Sequence, residues 1–172
     1  MKNKNIVLIG MPGAGKTTIA GIIKEKFDLS YEVIDMDEEI EKRQGMTINE
    51  IFKQYGEEFF RKLESELSQE LGKNDGKIIS TGGGVILEYE NIKALKENGV
   101  VLFIDRSLEE IIKDFDGDNR PLVLDNIKRL HELYEQRILL YRKYNDYSIP
   151  NNKSIDDFVF ALNIILRKEG IL

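Results

Sequence analysis

Apolar positions along this chain follow two alternating periodicities, which predict strands and helices in turn. Short strand-like runs lie at 5–9, 31–35, 77–80, 100–104 and 147–149, and the first of them is apolar and β-branched, as a buried parallel strand should be. Between and after them, apolar residues recur every three or four positions, which predicts helices at 18–27, 38–44, 47–55, 57–71, 89–97, 107–114, 126–145 and 155–168. This alternation is typical of a parallel sheet covered by helices on both faces.

One stretch, 114–125, has no clear periodicity and contains Gly117, Asn119 and Pro121. A loop of this length inside a compact domain is usually functional. We therefore predict that it forms a mobile lid over a ligand site.

Length and composition limit the architecture and the partners. A chain of 172 residues is long enough for one well-buried domain and too short for two ordinary ones, so we expect a single domain over 1–172. The formal net charge of −6, without a basic stripe, argues against nucleic-acid and membrane partners. Without cysteine, a metal site needs oxygen ligands. No apolar leader is apparent, so we expect a cytoplasmic enzyme. We also expect a monomer.

Residues 10–17 match the phosphate-loop pattern G-x-x-x-x-G-K-[ST] between a predicted strand and a predicted helix, as that motif requires. Gly13 and Gly15 let backbone N–H groups turn towards phosphate oxygens, with the positive end of the helix behind them. Lys16 can bridge the β- and γ-phosphates, and the Thr17 hydroxyl can ligate Mg²⁺. The alternative is a glycine-rich turn that matches by accident. The predicted nucleotide-binding residues of the loop are Gly13, Ala14, Gly15, Lys16, Thr17 and Thr18.

Two carboxylates lie at the carboxyl end of the second predicted strand. Ligands of open α/β sheets bind beyond the carboxyl ends of the strands, so Asp35 and Asp37 are expected near the phosphate loop. One could hold a Mg²⁺-bound water, and the other could accept a proton from an attacking hydroxyl. Alternatively, Asp37 only caps the helix at 38–44.

Three consecutive glycines, Gly82, Gly83 and Gly84, follow the third predicted strand. Glycine loses much conformational entropy on folding, so such a run indicates a special requirement. Close approach of a ligand to bare backbone is the expected reason, which makes the triplet a substrate floor. A tight turn that needs positive φ at several residues is the alternative.

Two arginines could together bind a carboxylate. Arg61 lies beside the buried stripe of its helix and could pair with Glu64, and Arg137 lies mid-helix in partly apolar surroundings. If both converge on the glycines, they form a clamp, because planar guanidinium groups suit bidentate pairing. Arg120, within the predicted lid, could close over the transferring phosphoryl group or could be an exposed loop residue.

In this order and at similar spacing, the motifs resemble those of shikimate kinases over residues 5 to about 150. They are the phosphate loop, Asp35-x-Asp37, Phe60-Arg61, Gly82-Gly83-Gly84, Arg120-Pro121-Leu122 and Arg137-x-x-Leu140-Tyr141. The resemblance implies a three-layer α/β/α P-loop NTPase fold with a five-stranded parallel sheet, a helical substrate-binding segment at about 36–64 and a lid at about 113–125. It also implies transfer of the γ-phosphoryl group of ATP to the 3-hydroxyl of shikimate with Mg²⁺, on the route to chorismate and aromatic amino acids.

The same resemblance assigns roles to residues. Asp37 would contact the reacting hydroxyl side of shikimate, and Arg61 and Arg137 would hold its carboxylate. Lys16 and Arg120 would stabilise phosphoryl charge. The implied catalytic residues are Lys16, Asp37 and Arg120; the substrate-binding residues are Asp37, Arg61, Gly82, Gly83, Gly84 and Arg137; the metal residues are Thr17 and Asp35; and Arg120 also joins the nucleotide site.

Two other functions fit parts of the pattern. A gluconate or nucleotide kinase of the same fold would share the phosphate loop, although the glycine triplet and paired arginines favour a compact carboxylated acceptor. A regulatory GTPase would bind its nucleotide with the motifs D-x-x-G and N-K-x-D. Residues 114–117 match the first motif, and Asn152 begins the second, but Ile155 stands where the second motif needs aspartate. The family pattern is least complete at the adenine contacts, where Lys113 replaces a frequent arginine.

Overall fold

The computed structural model describes residues 3–117, 124–152 and 154–172. The strands are β1 Asn5–Ile9, β2 Glu32–Asp35, β3 Lys77–Ser80, β4 Gly99–Asp105 and β5 Tyr147–Pro150. The helices are α1 Lys16–Phe27, α2 Met36–Gln44, α3 Ile48–Lys73, α4 Tyr89–Lys96, α5 Leu108–Gly117, α6 Leu124–Tyr144 and α7 Ile155–Lys168. A short 3-10 helix, Val85–Leu87, was not predicted from the sequence. None of the described helices has the length and apolarity needed to cross a membrane.

All five strands are parallel and form one sheet in the order β2-β3-β1-β4-β5. Every residue of β1 is buried, and so is every residue of β4 except the two at its ends. A parallel strand is buried along its whole length when helices cover both faces of the sheet. The predicted α/β fold with a five-stranded parallel sheet is confirmed.

The predicted helices at 47–55 and 57–71 are the two halves of the kinked helix α3. Gly56 separates them with φ 84° and ψ 171°, a conformation that glycine adopts without the steric penalty of a side chain. The first half begins at a capping box, in which Thr47 accepts from the Glu50 backbone N–H and Glu50 accepts from the Thr47 backbone N–H. The kink allows the second half of α3, which contains Arg61 and Glu64, to run at an angle to the first half.

The end of α3 packs tightly against two neighbouring elements. The buried side chain of Asn5 in β1 donates to the carbonyl oxygens of Leu71 at 3.2 Å and Asn74 at 2.9 Å, which satisfies acceptors left free at a helix end. On another side, Gly72 approaches α4 so closely that an added Cβ would lie 2.7 Å from the carbonyl carbon of Ala94. The position of α3 thus depends on the absence of a side chain at Gly72.

Two glycine-to-alanine changes, both inside helices, should have opposite effects on stability. Gly72→Ala should lower the free energy of unfolding by about 1–3 kcal/mol, because the new methyl group overlaps α4. Gly21→Ala in α1 should raise it by about 0.5–1 kcal/mol, since alanine favours helix more than glycine does and nothing lies within 4 Å of the added Cβ. Urea unfolding of both variants beside the parent protein measures the difference. A Gly72→Ala midpoint equal to the parent's would contradict the close contact.

Candidate active site

The phosphate loop, residues 10–17, follows β1 and is held by side chains from two other strand ends. Arg106 follows β4, and its Nη1 donates a hydrogen bond to the Gly13 carbonyl at 3.1 Å. Asn151 follows β5, and its Nδ2 donates to the Ala14 carbonyl at 2.9 Å. Gly15 caps α1 in the left-handed conformation, with φ 92°. The loop predicted from the sequence is therefore fixed by the sheet edge on which it lies.

Lys16 is buried within this loop. Its Nζ donates to the carbonyl oxygens of Gly10 at 2.9 Å and Met11 at 3.0 Å. Burial lowers the pKa of Lys16 to about 8, although the nearby carboxylates of Asp37 and Asp35 favour the charged form. Its hydrogen-bond partners are neutral carbonyls, so the ammonium charge is available to an anion bound in the loop.

Oxygen atoms from three elements meet next to Lys16. The Thr17 hydroxyl donates to Asp35 Oδ2 at 2.7 Å and lies 3.2 Å from the Ser80 hydroxyl. Such oxygen donors suit Mg²⁺, which usually keeps several water and phosphate ligands. The described residues include no cluster of three or more His, Cys, Asp or Glu side chains that could hold a metal alone. The two predicted metal residues thus lie in contact, in an arrangement that fits Mg²⁺ bound together with a nucleotide.

Asp37 does not cap a helix, so the alternative left open by the sequence is wrong. Helix α2 begins at Met36, and Asp35 is its N-cap, with Oδ1 accepting from the backbone N–H groups of Asp37 at 3.0 Å and Glu38 at 3.4 Å. Burial raises the pKa of Asp37, and the adjacent Asp35 raises it further, while Lys16 opposes the shift. A carboxylate with a raised pKa is a stronger proton acceptor.

A cavity of about 440 Å³ lies beside the phosphate loop, between α3, α6 and the segment after β3. Its volume suits a small-molecule ligand. All substrate-binding residues predicted from the sequence line it. We call it the α3–α6 cavity and define it by Asp37, Arg61, Glu64, the glycines 82–84, Arg129 and Arg137.

Each of the glycines 82–84 leaves room for a different neighbour. The atoms that an added Cβ would meet are Asp37 Oδ1 at 2.8 Å for Gly82, Pro12 Cδ at 2.8 Å for Gly83 and Arg61 Cζ at 2.6 Å for Gly84. None of the three has a positive φ, so the alternative of a turn that requires it is wrong. The triplet allows α2, the phosphate loop and α3 to pack against the end of β3.

Arg61 and Glu64 form a partly buried ion pair, whereas this spacing usually gives a solvated one. Arg61 Nη1 donates to Glu64 Oε2 at 2.8 Å, and Nη2 donates to Glu57 Oε1 at 3.0 Å. Glu64 is 1% exposed, and its Oε1 has no hydrogen-bond partner in the part of the chain that the structure describes. Burial raises the pKa of Glu64, and Arg61 opposes this. Arg61 is therefore already engaged by two carboxylates.

Arg137 is the more available cation of the predicted clamp. It is 8% exposed, and its Nε has no hydrogen-bond partner among the described residues. One helical turn later, the Tyr141 hydroxyl donates to the Gly83 carbonyl, and its ring stacks on Phe103 with centroids 5.3 Å apart. Tyr141 thus ties this part of α6 to the glycine segment and holds Arg137 at the buried end of the cavity.

A second cavity, of about 360 Å³, lies on the other side of the phosphate loop and is lined by Gly15, Thr18, Arg106, Asp114 and Asn151, among others. Arg106 Nη1 lies 2.6 Å from Asp114 Oδ2. Because Asp114 belongs to helix α5 and not to a strand end, the D-x-x-G match does not have the context that a GTPase requires. We call this second cavity the P-loop cavity.

Sequence reasoning did not identify Ser80, Arg106 or Arg129. Ser80 ends β3 and Arg106 directly follows β4, so inspection of every strand end would have found both. Arg129 precedes Arg137 by two helical turns, so the helical period would have placed it on the same face. The expectation of an irregular segment over 114–125 is wrong at its two ends, because residues 114–117 belong to helix α5 and residues 124–125 to helix α6. Of the lid predicted at about 113–125, residues 118–123 with Arg120 lie outside the described residues, and the lid and the role of Arg120 stay predictions.

Comparison with known proteins gives one consistent result. Residues 12–165 match the family model "Shikimate kinase". A shikimate kinase from Clostridium botulinum strain Eklund 17B is 45% identical over 166 residues, 96% of this chain and 98% of the relative. The solved shikimate kinase from Acinetobacter baumannii in complex with shikimate has a TM-score of 0.83 and 32% identity, covering 98% of this chain and 94% of that one. The Aquifex aeolicus enzyme has a TM-score of 0.76 and 30% identity, covering 97% and 98%.

The lowered pKa of Lys16 predicts that ATP binding weakens as the pH rises. Lys16 is charged below its pKa of about 8 and neutral above it, and the neutral amine attracts phosphate less. The apparent Kd for ATP should therefore increase between about pH 7.5 and 9.5, whereas Lys16→Arg, charged throughout that range, should lack this increase. Titration calorimetry measures both. An equal increase in the arginine variant would show that another group titrates.

Proposed function

The chain belongs to the shikimate kinase family, and we propose that it transfers the γ-phosphoryl group of ATP to the 3-hydroxyl of shikimate. The product would be shikimate 3-phosphate, on the route to chorismate. The chain is thus an ATP-dependent phosphotransferase. The α3–α6 cavity is the observation that carries this proposal. It places a carboxylate with a raised pKa and an available buried arginine next to the phosphate loop. These groups match an acceptor with one hydroxyl to activate and one carboxylate to bind.

In the proposal, α2 and α3 form the substrate-binding segment and α6 completes the site. Arg137 binds the acceptor carboxylate from the buried end of the cavity. Arg61 is a second contact, whose orientation Glu57 and Glu64 fix. Asp37 orients the reacting hydroxyl and accepts its proton as the oxygen bonds to the γ-phosphorus and the bond from that phosphorus to the leaving ADP breaks. Gly83 offers a bare backbone N–H beside the acceptor.

The phosphate loop supplies positive charge at the transferring group. Lys16 exchanges its two backbone carbonyl contacts for the β- and γ-phosphates, and the N–H groups at the head of α1 bind phosphate oxygens. These contacts stabilise charge that develops in the transition state. The prediction for Arg120 adds a cation from the lid side. The P-loop cavity would hold the nucleoside, next to Arg106 and Asn151.

We also propose that one Mg²⁺ binds with ATP at Thr17. The Thr17 hydroxyl would be a direct ligand, and Asp35 and Ser80 would hold its water ligands, because all three side chains already meet there. When bound, the ion neutralises part of the phosphate charge. Asp35 is fixed for this role by its capping contacts to α2.

Alanine substitutions should separate the two arginines of the clamp. Arg137→Ala should raise the KM for shikimate by about 30-fold or more, since removing one partner of a desolvated charge pair costs about 2–5 kcal/mol. Arg61→Ala should also raise this KM and, in addition, lower the thermal midpoint, because it leaves the buried Glu64 without its cation. The KM for ATP should change little in either variant. Arg142→Ala, an exposed arginine near the end of α6, is the control.

The acceptor itself decides whether the clamp assignment holds. The parent protein with Mg²⁺ and ATP is assayed against shikimate, an uncharged sugar and a nucleoside monophosphate. Failure with shikimate together with turnover of either of the others would replace the proposal by another small-molecule kinase of this fold.

Asp37→Asn should lower kcat rather than weaken binding. The amide keeps the shape of the carboxylate and cannot accept the hydroxyl proton, so kcat should fall by about 10²-fold to 10⁴-fold. The KM for shikimate should change much less than in Arg137→Ala. Steady-state kinetics with both substrates varied measures the two constants. An Asp37→Asn protein with parental kcat would exclude Asp37 as the proton acceptor.

A further inference from the structure

We propose that Arg129 attracts the carboxylate of the acceptor to the mouth of the α3–α6 cavity, from which it passes to Arg137. This inference rests on the proposed function and adds a residue that determines how fast and how tightly a charged acceptor is taken up. It concerns the path of entry and assigns Arg129 no part in phosphoryl transfer.

One face of α6 runs from the mouth of the cavity to its buried end. Arg129, Leu133 and Arg137 lie four residues apart, so they share this face, and all three line the cavity. Their burial increases in the same order, from exposed through intermediate to buried. The next residue of this spacing, Tyr141, is fully buried. On this helix face, Arg129 is therefore the outer cation and Arg137 the inner one, and Arg137 binds the carboxylate in our proposal.

The charges that line the cavity balance only when Arg129 is counted. Asp37, Glu57 and Glu64 are acidic, and Arg61, Arg129 and Arg137 are basic. Without Arg129, the cavity would carry an excess negative charge, in a protein whose formal net charge is already −6. Such a field repels an anionic acceptor.

Arg129 also differs from the other lining arginines in its surroundings. Arg61 is held by Glu57 and Glu64 and Arg137 is 8% exposed, whereas Arg129 is exposed to solvent. Eight residues of helix separate its Cα from that of Arg137 by about 12 Å. This distance is comparable with the Debye length of about 10 Å at 0.1 M salt, so Arg129 acts on the entering anion mainly through its field.

Neutralising Arg129 should therefore weaken acceptor capture in a salt-dependent way. Arg129→Ala should lower kcat/KM for shikimate and raise its Kd by about threefold to tenfold at low ionic strength, with kcat unchanged. The difference should nearly disappear at about 1 M salt, where the Debye length is about 3 Å. Arg129→Lys, which keeps the charge, should restore most of the loss. Shikimate methyl ester, which lacks the charge, should bind parent and variant equally.

Lys128→Ala is the matched control. Lys128 is the exposed cation next to Arg129 in α6, but it does not line the cavity. Each of the two substitutions therefore removes one positive charge from the same turn of the helix. Titration calorimetry for Kd and coupled assays for kcat/KM, each at low and high salt, compare the variants. Circular dichroism verifies that all of them are folded.

Equal losses in Arg129→Ala and Lys128→Ala, or a loss that salt does not reduce, would overturn the inference. The proposed function is tested separately in the same experiments by the parent protein and Arg137→Ala. If the parent phosphorylates shikimate and Arg137→Ala binds it poorly while Arg129→Ala equals its control, only the role of Arg129 is wrong. If the parent does not act on shikimate, the proposed function fails first.

Discussion

Parallel pairing of the central strand β1 with both β3 and β4 is the constraint on which the rest of this structure depends. Parallel neighbours must be joined by crossovers, and these put helices on both faces of the sheet and bring every carboxyl strand end to one edge. The phosphate loop, the carboxylates at the end of β2, the glycines after β3, Arg106 after β4 and Asn151 after β5 meet there for this reason. No helix packing alone would gather these five segments, which lie up to about 140 residues apart.

The features that the sequence predicted correctly depend on patterns of neighbouring residues. The phosphate loop, the buried strands and the break of α3 at Gly56 each follow from a local pattern with one physical solution. The partly buried ion pair of Arg61 with Glu64 could not be predicted in this way. It depends on how deeply α3 buries Glu64, and the i,i+3 spacing of the pair does not determine that burial. Asp35 and Asp37 were likewise found, but which of them caps α2 follows from where the helix starts. Ser80 carries no pattern of its own and becomes notable only because Thr17 lies beside it.

Several charged groups of the candidate site are held in states that a protein selected only for stability would avoid. Lys16 is a cation in a buried loop, and one oxygen of the Glu64 carboxylate has no hydrogen-bond partner within the ranges that the structure describes. Burial of charge is unfavourable unless partners compensate it, and here the compensation is partial. A bound triphosphate and an anionic acceptor would supply the missing partners for Lys16 and Arg137. In the proposed function, the fold preorganises these charges and the substrates supply their missing partners, an arrangement in which electrostatic contributions to catalysis are largest.

The three glycines after β3 have a consequence for how this protein can change over evolutionary time. A side chain at Gly82 would have to be accommodated by Asp37 of α2 and Glu64 of α3, one at Gly83 by Pro12 of the phosphate loop, and one at Gly84 by Arg61 of α3. A single substitution there would disturb a neighbour that another step of the reaction needs, and no second substitution within the triplet could relieve it. Routes to new acceptor preference are therefore expected to begin elsewhere, on the side of the cavity that α6 forms, where exposed positions can vary independently of the phosphate loop.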